Sequence, residues 1–152
     1  MRRAIGRAAG NKALPDRPGI SVKLSALHPR YVVTQKARVM AQLVPLVLQL
    51  AQTAKSFDLN FTIDAEEVDR LELSLDVFEA LLKQVQAKCP QWRGFGLALQ
   101  AYQTRSLELI EHVGRMTAAT NVPFNVDSER LFGDDLAGVA ECVTLLADAG
   151  AA

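Results

Sequence analysis

Residues 59–88 read LNFTIDAEEVDRLELSLDVFEALLKQVQAK, and a change of pattern inside them decides the fold. The short apolar run from Leu59 to Asp64 has the length and composition of a strand. From Glu66 to Lys88 the apolar residues Val68, Leu71, Leu73, Leu75, Val77, Phe78, Leu81, Leu82 and Val85 recur at helical spacing, with Leu71, Leu75, Phe78 and Leu82 as the core stripe. A strand feeding directly into an amphipathic helix is one βα unit.

The unit repeats on both sides. Upstream, Gly19-Ile-Ser-Val-Lys-Leu-Ser25 follows the turn-like Asp16-Arg17-Pro18 and precedes a helical pattern from Thr34 to Lys55, which Pro45 should kink or split. Downstream, Gly94-Phe-Gly-Leu-Ala-Leu-Gln100 follows the breaker Cys89-Pro90 and leads to a helix over Leu107–Met116. A fourth run, Val122-Pro-Phe-Asn-Val-Asp127, precedes a helix that Asp134-Asp135 should cap and Gly150 should stop. Alternating strands and helices predict an α/β domain over residues 1–152: about four parallel strands alternating with helices, a partial (half) (βα)8 TIM-type barrel. A closed barrel needs eight strands and about 250 residues, so the chain reads as half a barrel or a fragment.

Composition narrows the function. Of 152 residues, 49% are hydrophobic and 22% charged, which suits a packed globular core. Lys plus Arg and Asp plus Glu both number 17, a balance that argues against a nucleic-acid partner. No apolar run is long enough to span a bilayer, and the charged opening MRRAIGRAAGNKALPDRPG has no apolar signal-peptide region, so the expected location is cytoplasmic. Cys89 and Cys142 are too few for a disulfide framework.

Each strand ends in polar residues: Lys23 and Ser25, Asp64, Gln100, Asp127 and Glu129. Parallel α/β folds place their chemistry at such C-terminal strand ends. The stretches GISVKLSALHPRY (19–31), FTIDAEEVDRLELSLDVFEALL (61–82) and GFGLALQAYQTRS (94–106) together resemble the proline dehydrogenase family, nearest to the domain found in bacterial bifunctional proline-utilisation flavoenzymes, over about residues 15–106. The resemblance implies a distorted (βα)8 barrel with FAD at the strand ends. It also implies oxidation of L-proline to Δ1-pyrroline-5-carboxylate, with quinone as electron acceptor and, in the full-length family, a location peripheral to the inner membrane. On the matching positions, Lys23 would pair with the substrate carboxylate, Asp64 would stand near that lysine, Ala65 would lie against the flavin, and Gln100 would hydrogen-bond its ring.

Chemistry agrees with those roles. A cationic lysine orients a carboxylate, and a nearby aspartate keeps a partly buried lysine charged. The family's later flavin-binding strands and its substrate-binding arginine pair are not recognisable here. Loss of one pole of a two-sided carboxylate clamp costs about 2–5 kcal/mol, so little turnover is expected from this chain alone.

From about residue 107 to 152 the sequence resembles instead the isocitrate lyase and phosphoenolpyruvate mutase family, whose strand-end acidic motif holds Mg2+. The stretch Val126-Asp127-Ser-Glu129-Arg-Leu-Phe132-Gly133 matches that motif, which implies Asp127 and Glu129 as Mg2+ ligands and a chimeric chain.

Plainer readings stand beside these. Lys23 also reads as a guard charge on an edge strand, Asp64 as a helix cap, Glu66 and Glu67 as first-turn dipole partners, and His28 as a loop residue. The rival to an enzyme is a non-catalytic half-barrel that self-associates. An open sheet has two unpaired edges, which predicts a homodimer. Sedimentation at micromolar concentration should show it, and a folded, strictly monomeric chain would contradict it.

Overall fold

The computed structural model describes residues 12–14, 16–100, 105–118, 125–127 and 135–148. In chain order the elements are β1 (Gly19–Lys23), α1 (Leu24–Leu27), α2 (Lys36–Ser56), β2 (Asn60–Asp64), α3 (Leu71–Lys88), β3 (Phe95–Gln100), α4 (Ser106–Ala118), β4 (Asn125–Asp127) and α5 (Leu136–Asp148). Single 3-10 turns, Val33–Gln35 and Val68–Arg70, lead into α2 and α3. The strands are parallel and neighbour one another in sequence order, β1-β2-β3-β4, with β4 only three residues long. Right-handed crossovers that always advance in one direction lay their helices on one face, which is how a barrel wall is built.

Alternation along the strands sorts the two faces. Phe61 and Ile63 of β2 are buried, and their register partners are Ile20 and Val22 of β1 and Phe95 and Leu97 of β3. This side meets the helices: Phe95 stacks on Phe61 (6.3 Å between ring centres) and on Phe78 of α3 (5.5 Å). Val39, Leu43, Val47 and Ala51 of α2 and Val77, Phe78 and Leu81 of α3 complete the core. The other side carries Ser21, Thr62 and Gly96 in one row, then Lys23, Asp64 and Ala98 in the next.

Several local expectations are corrected. The first apolar run does not stay extended to Ser25: the strand ends at Lys23, and Leu24 turns into the short α1 to bury its side chain. Pro45 does not split α2, which runs unbroken for 21 residues. Pro45 lies on the exposed side, while Val44, Val47 and Leu48 beside it are buried. Burial of three such side chains, at about 1.5–3 kcal/mol each, outweighs an interior proline's cost of about 3 kcal/mol. Val68 does not belong to the helix; it sits 61% exposed in the 3-10 turn that precedes α3. Asp135 does cap α5, accepting the Gly138 N–H at 2.8 Å. Among the described residues no helix is long and apolar enough to cross a membrane.

Two connections hold the units in place. At the end of α2 the Leu59 N–H donates to the Ala54 carbonyl and the Asp58 N–H to the Lys55 carbonyl, a Schellman motif. Asp58 is its left-handed residue, with φ 51°. Between β1 and α2, Tyr31 is buried, and its hydroxyl meets Ser74 Oγ of α3 at 2.8 Å. Burial pushes the Tyr31 phenol up to about 12, against an opposing pull from the Ser74 hydrogen bond.

Asp58→Val should lower stability by about 1–2 kcal/mol, because a β-branched side chain is strained at that φ; urea unfolding will measure the decrease. Tyr31 makes an alkaline prediction. Its folded pKa lies above the unfolded value of 10, so the stabilisation is complete below pH 10 and is lost as pH rises towards about 12. Thermal unfolding between those limits should show the decline, and Tyr31→Phe should flatten it.

Candidate functional site

The candidate site is built where β1 and β2 end. Lys23 and Asp64 are the last residues of their strands and are register partners, so both side chains rise from the same face. Lys23 Nζ stands 4.0 Å from Asp64 Oδ2. The sequence pairs these two; the structure adds a third member. Glu66 Oε1 lies 2.5 Å from Lys23 Nζ, nearer than Asp64. Residues 65–67 are neither helical nor paired as a strand, and Glu67 is still extended, so a side chain two residues past Asp64 returns to the same side.

That two-residue spacing was the available signal for Glu66, whose run of acids before a helix reads more simply as dipole partners. The helix takes neither role offered to it: α3 begins at Leu71, and no side chain caps it or the turn before it. Asp64 is therefore not a helix cap.

Electrostatics follow the geometry. The hydrogen bond with Glu66 holds the Lys23 ammonium above its ordinary pKa; desolvation opposes it, and the charges of Glu66, Asp64 and Glu67 add to the rise. Burial pushes Glu67 up, yet hydrogen bonds from Ser25 and Arg70 bring its carboxyl below the usual carboxylate range. Arg70 Nη1 reaches Glu67 Oε2 at 2.7 Å. Ser25, expected on a strand, thus serves from α1 as a donor to the acidic loop.

Ala65 and Gln100 occupy neighbouring positions. Ala65 is 2% exposed, and its N–H donates to the Ala98 carbonyl at 3.2 Å. Gln100 is 4% exposed at the end of β3, two residues beyond Ala98 and therefore on the face that carries Asp64. In register, Asp127 of β4 stands opposite Gln100. Glu129, the other expected Mg2+ ligand, lies outside the described residues. Among the described residues no three His, Cys, Asp or Glu side chains gather as a metal site.

The remaining candidates have structural partners. His28 is a buried loop residue whose Nδ1 accepts the Arg30 N–H at 3.3 Å, which makes Nε2 the donor to Gln42 Oε1 at 3.1 Å. Cys89 and Cys142 are free thiols, the first buried at the end of α3. An open groove of about 490 Å³ runs between α3 and α4 on the outer surface. Two ion pairs line it, Lys36 with Asp76 at 2.5 Å and Arg105 with Glu72 at 2.6 Å.

In-order parallel strands, helices on one face and a lysine–carboxylate group at the C-terminal strand ends define a barrel-type α/β protein with its polar site on the rim. The chain matches the proline dehydrogenase family over residues 1–127 and belongs to that family. This match takes in α4 and β4, beyond the position near 106 at which a change to a second family was expected.

Among curated relatives, the bifunctional protein PutA of Klebsiella aerogenes is 44% identical over 110 residues, which cover 72% of this chain and 8% of that protein. The PutA of Rhizobium meliloti is 51% identical over 94 residues, covering 62% of this chain and 7% of that one. The chain thus spans less than a tenth of these relatives' length. A crystal structure of a Bradyrhizobium japonicum proline utilization A mutant superposes with a TM-score of 0.76 at 58% identity, over 82% of this chain and 13% of that one. Proline utilization A from Bdellovibrio bacteriovorus, at 18% identity, shares the fold with a TM-score of 0.69 over 82% of this chain and 14% of that one.

Proposed function

We propose that this chain carries the lysine side of a proline dehydrogenase site, where L-proline is oxidised to Δ1-pyrroline-5-carboxylate with FAD as the immediate and quinone as the onward electron acceptor. The observation that carries the reading is Lys23 in register with Asp64 at adjoining strand ends, inside a family match that covers residues 1–127. Oxidation removes two electrons and two protons from the ring carbon–nitrogen bond of proline. FAD supplies the two-electron acceptor when bound.

The residues present suit such a group. Thr62, Gly96 and Ala98 keep the sheet face low, as a flat ring system requires, and Gln100 offers an uncharged amide where a flavin ring presents carbonyl and nitrogen edges. Lys23 would hold the substrate carboxylate and so turn the ring C–H towards the acceptor; orientation is most of what hydride transfer asks of a protein. Asp64 would keep that ammonium charged as ligand and cofactor exclude water. Self-association through the sheet edges belongs to the same proposal, as a way for an open sheet to cover itself.

The test is a visible spectrum after incubation with excess FAD, followed by anaerobic L-proline. A bound-flavin band that bleaches slowly with proline, without sustained turnover, is expected from this chain alone. Lys23→Met should slow the bleaching at least about tenfold, the order expected when a cation that orients a reacting carboxylate is removed. A folded chain that stays colourless would overturn the reading for this chain.

A further inference from the structure

Glu66 is the member of the Lys23 group that the function does not absorb. It is a carboxylate, 2.5 Å from the ammonium that a substrate carboxylate would need. We infer that Glu66 is an internal stand-in for the substrate carboxylate: it occupies Lys23 in the ligand-free chain and must swing away for a carboxylate ligand to bind. The inference rests on the proposed role of Lys23 and names a positioning residue that sets the affinity of that site.

Three observations carry it. First, the ammonium is already shared. Asp64 also stands 4.0 Å from it, and Arg70, a nearby cation, is engaged with Glu67 at 2.7 Å. A ligand carboxylate arriving with Glu66 in place would be a third anion on one cation, and like charges at that range repel. Second, the group is built so that Glu66 yields rather than Asp64. Asp64 is anchored on β2 with its side chain 19% exposed, whereas Glu66 sits in the loop at 36% and Lys23 is 51% exposed. Third, the way inward is closed. The space bounded by Leu24, Ser25, Tyr31 and Ser74 beneath the pair is too narrow for a water molecule, so a displaced Glu66 turns outward to solvent. An exposed ion pair is weak enough for a ligand to break.

The inference makes affinity, and not only chemistry, depend on Glu66. Chain labelled with 13C at the lysine ε-carbon, its Lys23 signal assigned through Lys23→Arg, is titrated with sodium acetate, L-proline and L-prolinamide in the parent, Glu66→Gln and Glu66→Asp forms. Amide spectra verify that each variant is folded. Glu66→Gln should bind acetate and L-proline about two- to fivefold more tightly, the range an exposed ion pair is worth, while Glu66→Asp restores the parent value. L-Prolinamide, which lacks the carboxylate, should not distinguish the three.

Equal or weaker carboxylate binding by Glu66→Gln overturns the inference, as does an equal gain for L-prolinamide or a Lys23 signal that no ligand moves in any variant. The outcomes separate the two readings. Acetate bound more tightly by Glu66→Gln, with L-proline no better than acetate, upholds the stand-in and sinks the proline assignment. L-Proline bound strongly and equally by all three forms does the reverse.

Discussion

The stacking of Phe95 between Phe61 of the neighbouring strand and Phe78 of α3 is the interaction on which the rest of the structure depends. Strand side chains alternate with a period of two, so a slip of one residue would turn Phe61 and Ile63 outward and drive Asp64 into the core. An ionised carboxylate buried without a partner is far costlier than any gain such a slip could offer. The aromatic face thus holds the register, and the register brings Lys23 opposite Asp64 and Asp64 opposite Ala98. Core packing and site geometry are one constraint seen from two sides of the sheet.

The rim built on that register is more anionic than a lysine–aspartate pair suggests. One ammonium faces Glu66 and Asp64, and a second cation, Arg70, is occupied by Glu67. Such an arrangement keeps the lysine charged. The buried Tyr31–Ser74 hydrogen bond lies just below, tying the loop after β1 to α3, so the acidic loop is supported from inside while its outer side faces solvent.

Much of this was legible along the chain because it is local. The strand ends at Asp64 and Gln100, the helical stripe through Phe78 and Leu82, and the Asp135 cap all follow from patterns within a few residues. The readings that failed were also local rules, overridden by packing. Pro45 is carried through α2 because the buried side of that helix holds, Ser25 leaves the strand because Leu24 turns inward, and Val68 stays exposed because the helix starts three residues after it. A proline dehydrogenase likeness was readable from three motifs, and the family match over residues 1–127 agrees with it.

By itself, the sequence determined the order of strands and helices, the parallel α/β class and the placing of Lys23, Asp64 and Gln100 at strand ends, since each depends on the period of nearby side chains. Only the tertiary structure decided that Glu66, not Asp64, is the nearer partner of Lys23, that Tyr31 bonds Ser74, and that the loop residue His28 is buried with both ring nitrogens hydrogen-bonded. The first two of these interactions join residues 43 positions apart, one βα unit on. At that separation no local pattern ranks two carboxylates two residues apart; the distance of each from the ammonium comes from the strand register and the path of the loop that follows it.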